Sequence, residues 1–259
     1  DALFSGSVNL NRVAAPALGG VLVGVMGIDG VYYLIVGFNI FSALLLFPVS
    51  PDEKPIPLSS QGVVKALVRG LSSVRRSPAL LGLLTMAVVP IIFGMPYQML
   101  LPVFSEDILD VGVSGLGYLM AAAGVGALTG STFVATLGDY SRKGLLLLVA
   151  CGLFGIFLTL FAYSSNFYLS LLFLFAVGMA SATYMAINQT LLLTNADESM
   201  RGRVMSLYMM TIGLFPIAVL PAGAIVEVAG APIVIGASGA ILVVFTIAMA
   251  LWRPVLRKL

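Results

Sequence analysis

The sequence predicts an all-α integral membrane protein with eight transmembrane helices. Three observations predict it. First, the chain is 60% hydrophobic and only 9% charged, with a mean hydropathy of +1.09; a soluble globular domain carries roughly a quarter charged residues. Second, residues 30–51, 77–105, 111–138, 144–196, 204–226 and 228–252 hold no charge at all. A helix needs about 20 apolar residues to cross a bilayer. Five of these blocks fit one crossing each, and 144–196 fits two, divided at Tyr163-Ser164-Ser165-Asn166. An eighth crossing, residues 3–27, is interrupted by Asn9, Asn11 and Arg12. A β-barrel is disfavoured, because its strands would alternate apolar and polar residues.

The third observation is the placement of charge. Threading eight spans puts Lys54, Lys65, Arg69, Arg75 and Arg76 on one side. Arg142, Lys143, Arg201, Arg203, Arg253, Arg257 and Lys258 join them there, and Arg12 lies nearest that side too. All 13 Lys and Arg then face one compartment, which the positive-inside rule makes the cytoplasm. Asp29, Glu106, Asp107 and Asp110 fall in the opposite loops. A wrong span count would scatter the basic residues over both sides. A net charge of +2 without a basic patch gives no reason to expect nucleic acid. Cys151 is the sole cysteine, inside a span, so no disulfide can form within the chain. The chain opens at Asp1 with neither an initiator methionine nor a signal peptide, as expected of a piece of a longer protein.

Taken in order, the first span carries Ala15-Pro16-Ala17-Leu18-Gly19-Gly20, small residues that permit close helix approach. Asp29-Gly30 turns the chain into the second span, 31–49. Residues 51–77 are the one long hydrophilic stretch. They read as a turn-rich start followed by a basic amphipathic helix, with Val63, Leu67, Leu71 and Val74 opposite Lys65, Arg69 and Arg76; such a helix lies on a membrane surface. The third span, 79–103, carries Pro90, Pro96 and Pro102, which kink a helix and free its carbonyls. Gly94, Tyr97 and Gln98 sit at the central kink. The fourth span, 111–138, contains the close-packing pair Gly126 and Gly130. Gly124-Val125-Gly126 fails as a dinucleotide fingerprint, since the third glycine is displaced and no strand precedes it. Spans 145–163, 167–193, 204–226 and 232–252 complete the chain, the last marked by the interfacial pair Trp252 and Arg253. A shift of 204 residues aligns the first two spans with the last two, Gly19 on Gly223 and Phe41 on Phe245. The repeating unit would then hold six spans.

These stretches carry a family resemblance. Asn9-Leu10-Asn11-Arg12 with Pro16 to Gly20 is similar to the fifth helix of the enterobactin-exporter and macrolide-efflux branch of the major facilitator superfamily. Pro96-Tyr97 through Leu101-Pro102-Val103-Phe104 resembles its seventh helix. Gly138-Asp139-Tyr140-Ser141-Arg142-Lys143 resembles the superfamily's cytoplasmic loop motif, one residue short and lacking its inner glycine. Arg201-Gly202-Arg203-Val204-Met205-Ser206 is the most specific match. The resemblance covers essentially the whole chain. It implies a partial major facilitator fold, the last eight of twelve helices. Residues 1–50 would close the amino-terminal bundle, 51–77 would be the cytoplasmic linker, and 78–259 would form the six-helix carboxy-terminal bundle. The two bundles would rock about a central site.

Several residues are candidates for that site. An intramembrane arginine such as Arg12 is a functional candidate by default; the alternative is snorkelling to the surface, and the neighbouring Asn9 and Asn11 favour a polar cavity wall. Tyr97, Gln98, Asn188 and Gln189 are candidate substrate contacts, against helix–helix hydrogen bonding. Met95, Met99, Tyr184 and Met185 would give an adaptable apolar wall, against simple core packing. Asp139, Arg142, Arg201 and Arg203 are candidates for a cytoplasmic gate, with Asp139 bridging to the helix start at Arg203. Catalysis has no foundation: the chain has no histidine, no Cys-x-x-Cys and no pair of intramembrane carboxylates. No cofactor or metal is expected. The expected partners are a small molecule and the bilayer, with the proton as candidate coupling ion, in a monomer of a bacterial inner membrane. Glu227, the one carboxylate in a helical run, lies near the outer end, so a coupling acid would belong to other helices. The first functional hypothesis is therefore an efflux transporter for a small amphipathic molecule. The second is a non-transporting scaffold or receptor on the same fold, whose polar residues would be sealed in helix contacts.

Overall fold

The computed structural model describes residues 30–45, 77–138 and 142–258. All regular structure among them is helical. Six stretches are long and apolar enough to cross a membrane: Pro78–Ile108, Gly112–Thr136, Lys143–Ala162, Phe167–Asn195, Arg201–Ala229 and Ala231–Trp252. They match the expected third to eighth spans. A shorter apolar helix, α1 (Gly30–Leu45), stands where the second span is expected, and most of its side chains are exposed. The expected first span, with its half of the repeat, and nearly all of the basic linker lie outside the described residues.

The proline spacing of the third span breaks it as its chemistry requires. Helix α2 (Pro78–Phe93) starts on Ser77, whose side chain accepts from the Leu80 N–H at 3.4 Å. After Phe93 the chain unwinds through Gly94, Met95 and Pro96. The Pro90 carbonyl accepts from both the Gly94 N–H (2.8 Å) and the Met95 N–H (3.2 Å). Pro96 has no N–H to continue the ladder, and α3 (Tyr97–Val103) begins directly after it. A π-helical turn, Phe104–Ile108, finishes the span, with Phe104 stacked on Phe161 at 4.7 Å between ring centres.

The rest of the bundle comprises α4 (Gly112–Thr136), α5 (Lys143–Ala162), α6 (Phe167–Asn195), α7 (Arg201–Ile212), α8 (Phe215–Ala229) and α9 (Ala231–Trp252), followed by the short α10 (Pro254–Lys258). Asn166 caps α6 by accepting from the N–H groups of Tyr168 and Leu169. The expected seventh span, read as one continuous helix, is instead two helices. Gly213 and Leu214 interrupt it, just before Pro216 at the second position of α8.

Glycine sets the two tightest helix pairs. A Cβ on Gly126 of α4 would sit on the Phe175 carbonyl oxygen of α6, and one on Gly178 would sit on the Ala123 carbonyl oxygen. The backbones approach as closely as side-chain-free positions allow. Gly155 of α5 and Gly239 of α9 meet in the same way. One end of the bundle collects the end of α4, the starts of α5 and α7, and the ends of α6, α9 and α10. Leu256 of α10 packs over Gly82 near the start of α2, at 3.2 Å from where its Cβ would be. Arg142, Lys143, Arg201, Arg203, Arg253 and Arg257 all belong to this end, while Glu106, Asp107, Asp110 and Glu227 belong to the other. The one-sided placement of Lys and Arg expected from the sequence is thus present in the described bundle, with Asp197 and Glu198 sharing their end.

Candidate functional site

The two helix breaks lie beside the same space. A cavity of about 440 Å³ is lined from α2 and α3 by Ile91, Met95, Tyr97, Gln98 and Leu101, and from the second break by Ile212 and Phe215. Helix α4 contributes Met120, Ala123, Gly124 and Ala127, and α6 contributes Gly178, Ser181 and Met185. Its size falls in the range of small-molecule sites, roughly 300–1,000 Å³. The lining is uncharged. Gln98 and Ser181 supply polar atoms, three methionines and Phe215 supply a soft apolar wall, and Tyr97 is buried within that wall. The Gln98 amide contacts the Met95 sulfur at 3.9 Å. Thioether side chains repack readily around ligands of different shape.

The sequence-predicted residues divide according to helical register. Gly178, Ser181 and Met185 form one stripe of α6. At about 100° per residue, Tyr184 projects about 90° away from that stripe. It therefore does not line the cavity: it is 1% exposed and its ring stacks on Phe154 at 6.0 Å. Phe154 in turn fills the space beside Gly94, where a Cβ would run into its ring. Tyr184 thus supports the helix break from behind. Met99 is 56% exposed and is absent from the lining. Gln189 is half-buried and Asn188 is fully buried, one turn beyond Met185; neither lines the cavity. Asn9 and Arg12 lie outside the described residues.

At the basic end, a second cavity of about 140 Å³ is lined by Leu137, Gly138, Lys143, Leu146, Ile187 and Thr190, among others. It adjoins the loop holding Asp139, which lies outside the described residues. Arg201 and Arg203 are exposed at the start of α7. Among the described residues no ion pair engages Arg142, Arg201 or Arg203, and no group of acidic, cysteine and histidine side chains could hold a metal.

The helix order, the two broken spans and the uncharged cavity between them agree with a sequence comparison. The model of the transmembrane secretion effector family matches residues 1–258. The chain belongs to that family, a branch of the major facilitator superfamily. Among its relatives, the enterobactin exporter EntS of Shigella flexneri is 29% identical over 204 residues, covering 78% of this chain and 47% of the exporter. EntS of Escherichia coli O81 (strain ED1a) is 30% identical over 210 residues, covering 78% and 48%. EntS of Escherichia coli O157:H7 (strain EC4115 / EHEC) gives the same identity and coverage. The chain thus spans about half the length of these relatives. Membership places this chain in a family of membrane transporters and not in one of enzymes.

Sequence reasoning missed the second break and with it Ile212 and Phe215. The signal was present, since Gly213 and Pro216 flank the break. It also missed Met120 and Ser181, which no local pattern separates from other residues of their spans.

Proposed function

We propose that this chain is the carboxy-terminal part of an inner-membrane exporter that moves an uncharged, amphipathic small molecule by alternating access. One observation carries the reading: an uncharged, methionine-walled cavity of about 440 Å³ sits where two discontinuous helices both break. Transporter binding sites are typically built at such discontinuities, where irregular backbone borders a cavity. The lining suits an aromatic or aliphatic body carrying a few hydrogen-bonding groups. The basic end faces the cytoplasm, by the positive-inside rule. Residues 1–50 complete the amino-terminal bundle, 51–77 link the bundles, and 78–259 form the carboxy-terminal bundle. Asn9 and Arg12 would add polar groups to the substrate path. Proton coupling, if the cycle uses it, needs an acid on other helices, since no carboxylate lines the described cavity. A non-transporting scaffold would seal its polar side chains in helix contacts, whereas Gln98 and Ser181 border open volume.

The test is efflux by the full-length protein from an exporter-deleted bacterial host. Metal-free enterobactin is the first compound to try, because the relatives are named for exporting it. Efflux should depend on expression and fall about tenfold or more in a Gln98→Leu, Ser181→Leu double variant of normal abundance. Efflux unchanged by that variant would overturn the placement of the site.

A further inference from the structure

Asn188 is the most anomalous residue of the described bundle. It is 0% exposed, and neither its amide nitrogen nor its amide oxygen has a hydrogen-bond partner among the described residues. Other buried polar side chains are paired: Ser170 with Ser164 (3.0 Å), and Thr246 and Thr211 with carbonyls of their own helices. A carboxamide buried without partners loses its hydration with no compensation. Such a group persists where another conformation, or a ligand, satisfies it.

Its position identifies that conformation. Asn188 lies one turn past Met185, about 50° to one side of the stripe of α6 that lines the cavity. It sits on the basic-end side of the cavity, where α2, α6 and α7 pack together. On these helices Ala87, Leu191, Leu192, Val204 and Tyr208 are buried, as Asn188 is. Beyond the cavity Asn188 is therefore sealed from solvent, with its amide unpaired among the described residues. Both helices facing α6 there run into a break a few residues further on, at Gly94–Pro96 and Gly213–Leu214. They can part from α6 at this end without unpacking the glycine-clamped pairs.

We propose that Asn188 is a second polar docking point for the cargo, sealed in this conformation and uncovered when α2 and α7 swing away from α6. The inference rests on the alternating-access reading above. A carboxamide donates and accepts at once, so it suits an uncharged group that does both, such as a hydroxyl, phenol or amide. The cargo would then pass from Gln98 and Ser181 to Asn188 as it moves toward or from the basic end. The unpaired amide would also disfavour the sealed conformation and keep the opposite one within reach.

Three measurements on the full-length protein in native membranes test this. In a Cys151→Ser background, Gln98→Cys should react quickly with N-ethylmaleimide. Asn188→Cys should react too, more slowly by roughly 10- to 100-fold, because only the unsealed fraction is open to reagent. If Asn188→Cys reacts only after denaturation, the proposal fails. Asn188→Leu fills a similar volume without the amide, so its thermal midpoint in detergent should equal or exceed that of the unmodified protein. A lower midpoint would mean that the amide is bonded in the native bundle, and would overturn the proposal. The same variant should slow enterobactin efflux by roughly tenfold, and a rate like that of the unmodified protein would also overturn it. If the unmodified protein moves no enterobactin, the substrate assignment above fails, and the labelling and stability measurements still decide on Asn188.

Discussion

Replacing Gly126 with alanine tests the packing that holds the cavity wall in place. A Cβ at this position would sit on the Phe175 carbonyl oxygen and 3.0 Å from the Met179 nitrogen. Both neighbours are backbone, so neither can rotate away; α4 and α6 must separate. Overpacking of this kind costs about 1–3 kcal/mol. Alanine would recover about 0.8–1 kcal/mol of helix propensity, leaving a net loss of up to roughly 2 kcal/mol. Gly223 is the internal control. It too is helical, in α8, but a Cβ there would meet nothing within 4 Å, so Gly223→Ala should gain about 0.5–1 kcal/mol. At about 2–4 °C per kcal/mol, the two variants should differ by roughly 5 °C, and by at most about 12 °C, in thermal midpoint in detergent. The wall residues Ala123, Gly178 and Met185 lie along this contact, so Gly126→Ala should also weaken transport. Equal midpoints for the two variants would refute the claim that glycine sets the α4–α6 distance.

Further expectations follow from the helix breaks and the basic end. Gly94→Ala should impair transport, because its Cβ would meet the Phe154 ring and lie 2.6 Å from the Pro90 carbonyl oxygen; adding Phe154→Leu should restore part of the loss, and strict additivity in that double-mutant cycle would reject the contact. Asp139→Asn should slow transport while leaving abundance intact, and combining it with Arg203→Gln should cost less than the two single losses together. Simple addition there would leave only a solvated surface pair, worth about 0–1 kcal/mol. Reporter fusions after Pro57 and after Asp110 should lie on opposite sides of the membrane, and a shared side would refute the threading.

The spans were legible because charge is scarce enough to mark most boundaries and the polar turn Tyr163-Ser164-Ser165-Asn166 marks the one inside the uncharged block 144–196, and the first break because three prolines announce it. That α4 packs closely through Gly126 and Gly130 was also legible, since they share a face, but not that α6 is the partner. What could not be read was rotation. In a soluble helix, polarity tells the buried face from the wet one. In a membrane helix, lipid and protein interior are both apolar, so Tyr184 and Met185 look equally eligible for a cavity wall. The structure separates them by one residue of register: Met185 faces the cavity and Tyr184 backs Phe154. The same degeneracy hid Ser181. For Asn188, polarity flagged the residue and could not say whether it meets the cavity, a helix or neither.

The distribution of tight and loose contacts suggests which parts move. Helices α4 and α6, and α5 and α9, are clamped backbone to backbone through glycine, and α5 also packs extensively on α6. These four form a continuous slab. Helix α8 has only Ala218 fully buried and touches mainly α9 and α2. Helix α7 is held chiefly by α2 and α6. The two broken spans are therefore attached to the slab by side-chain contacts that can slide, and each carries an interruption beside the cavity. Low contact density and helix interruptions are where local motion concentrates. A rocking motion of the whole bundle would leave the Asn188 seal intact, whereas bending of the broken spans at Gly94–Pro96 and Gly213–Leu214 would open it. The labelling rate of Asn188→Cys therefore distinguishes the two motions.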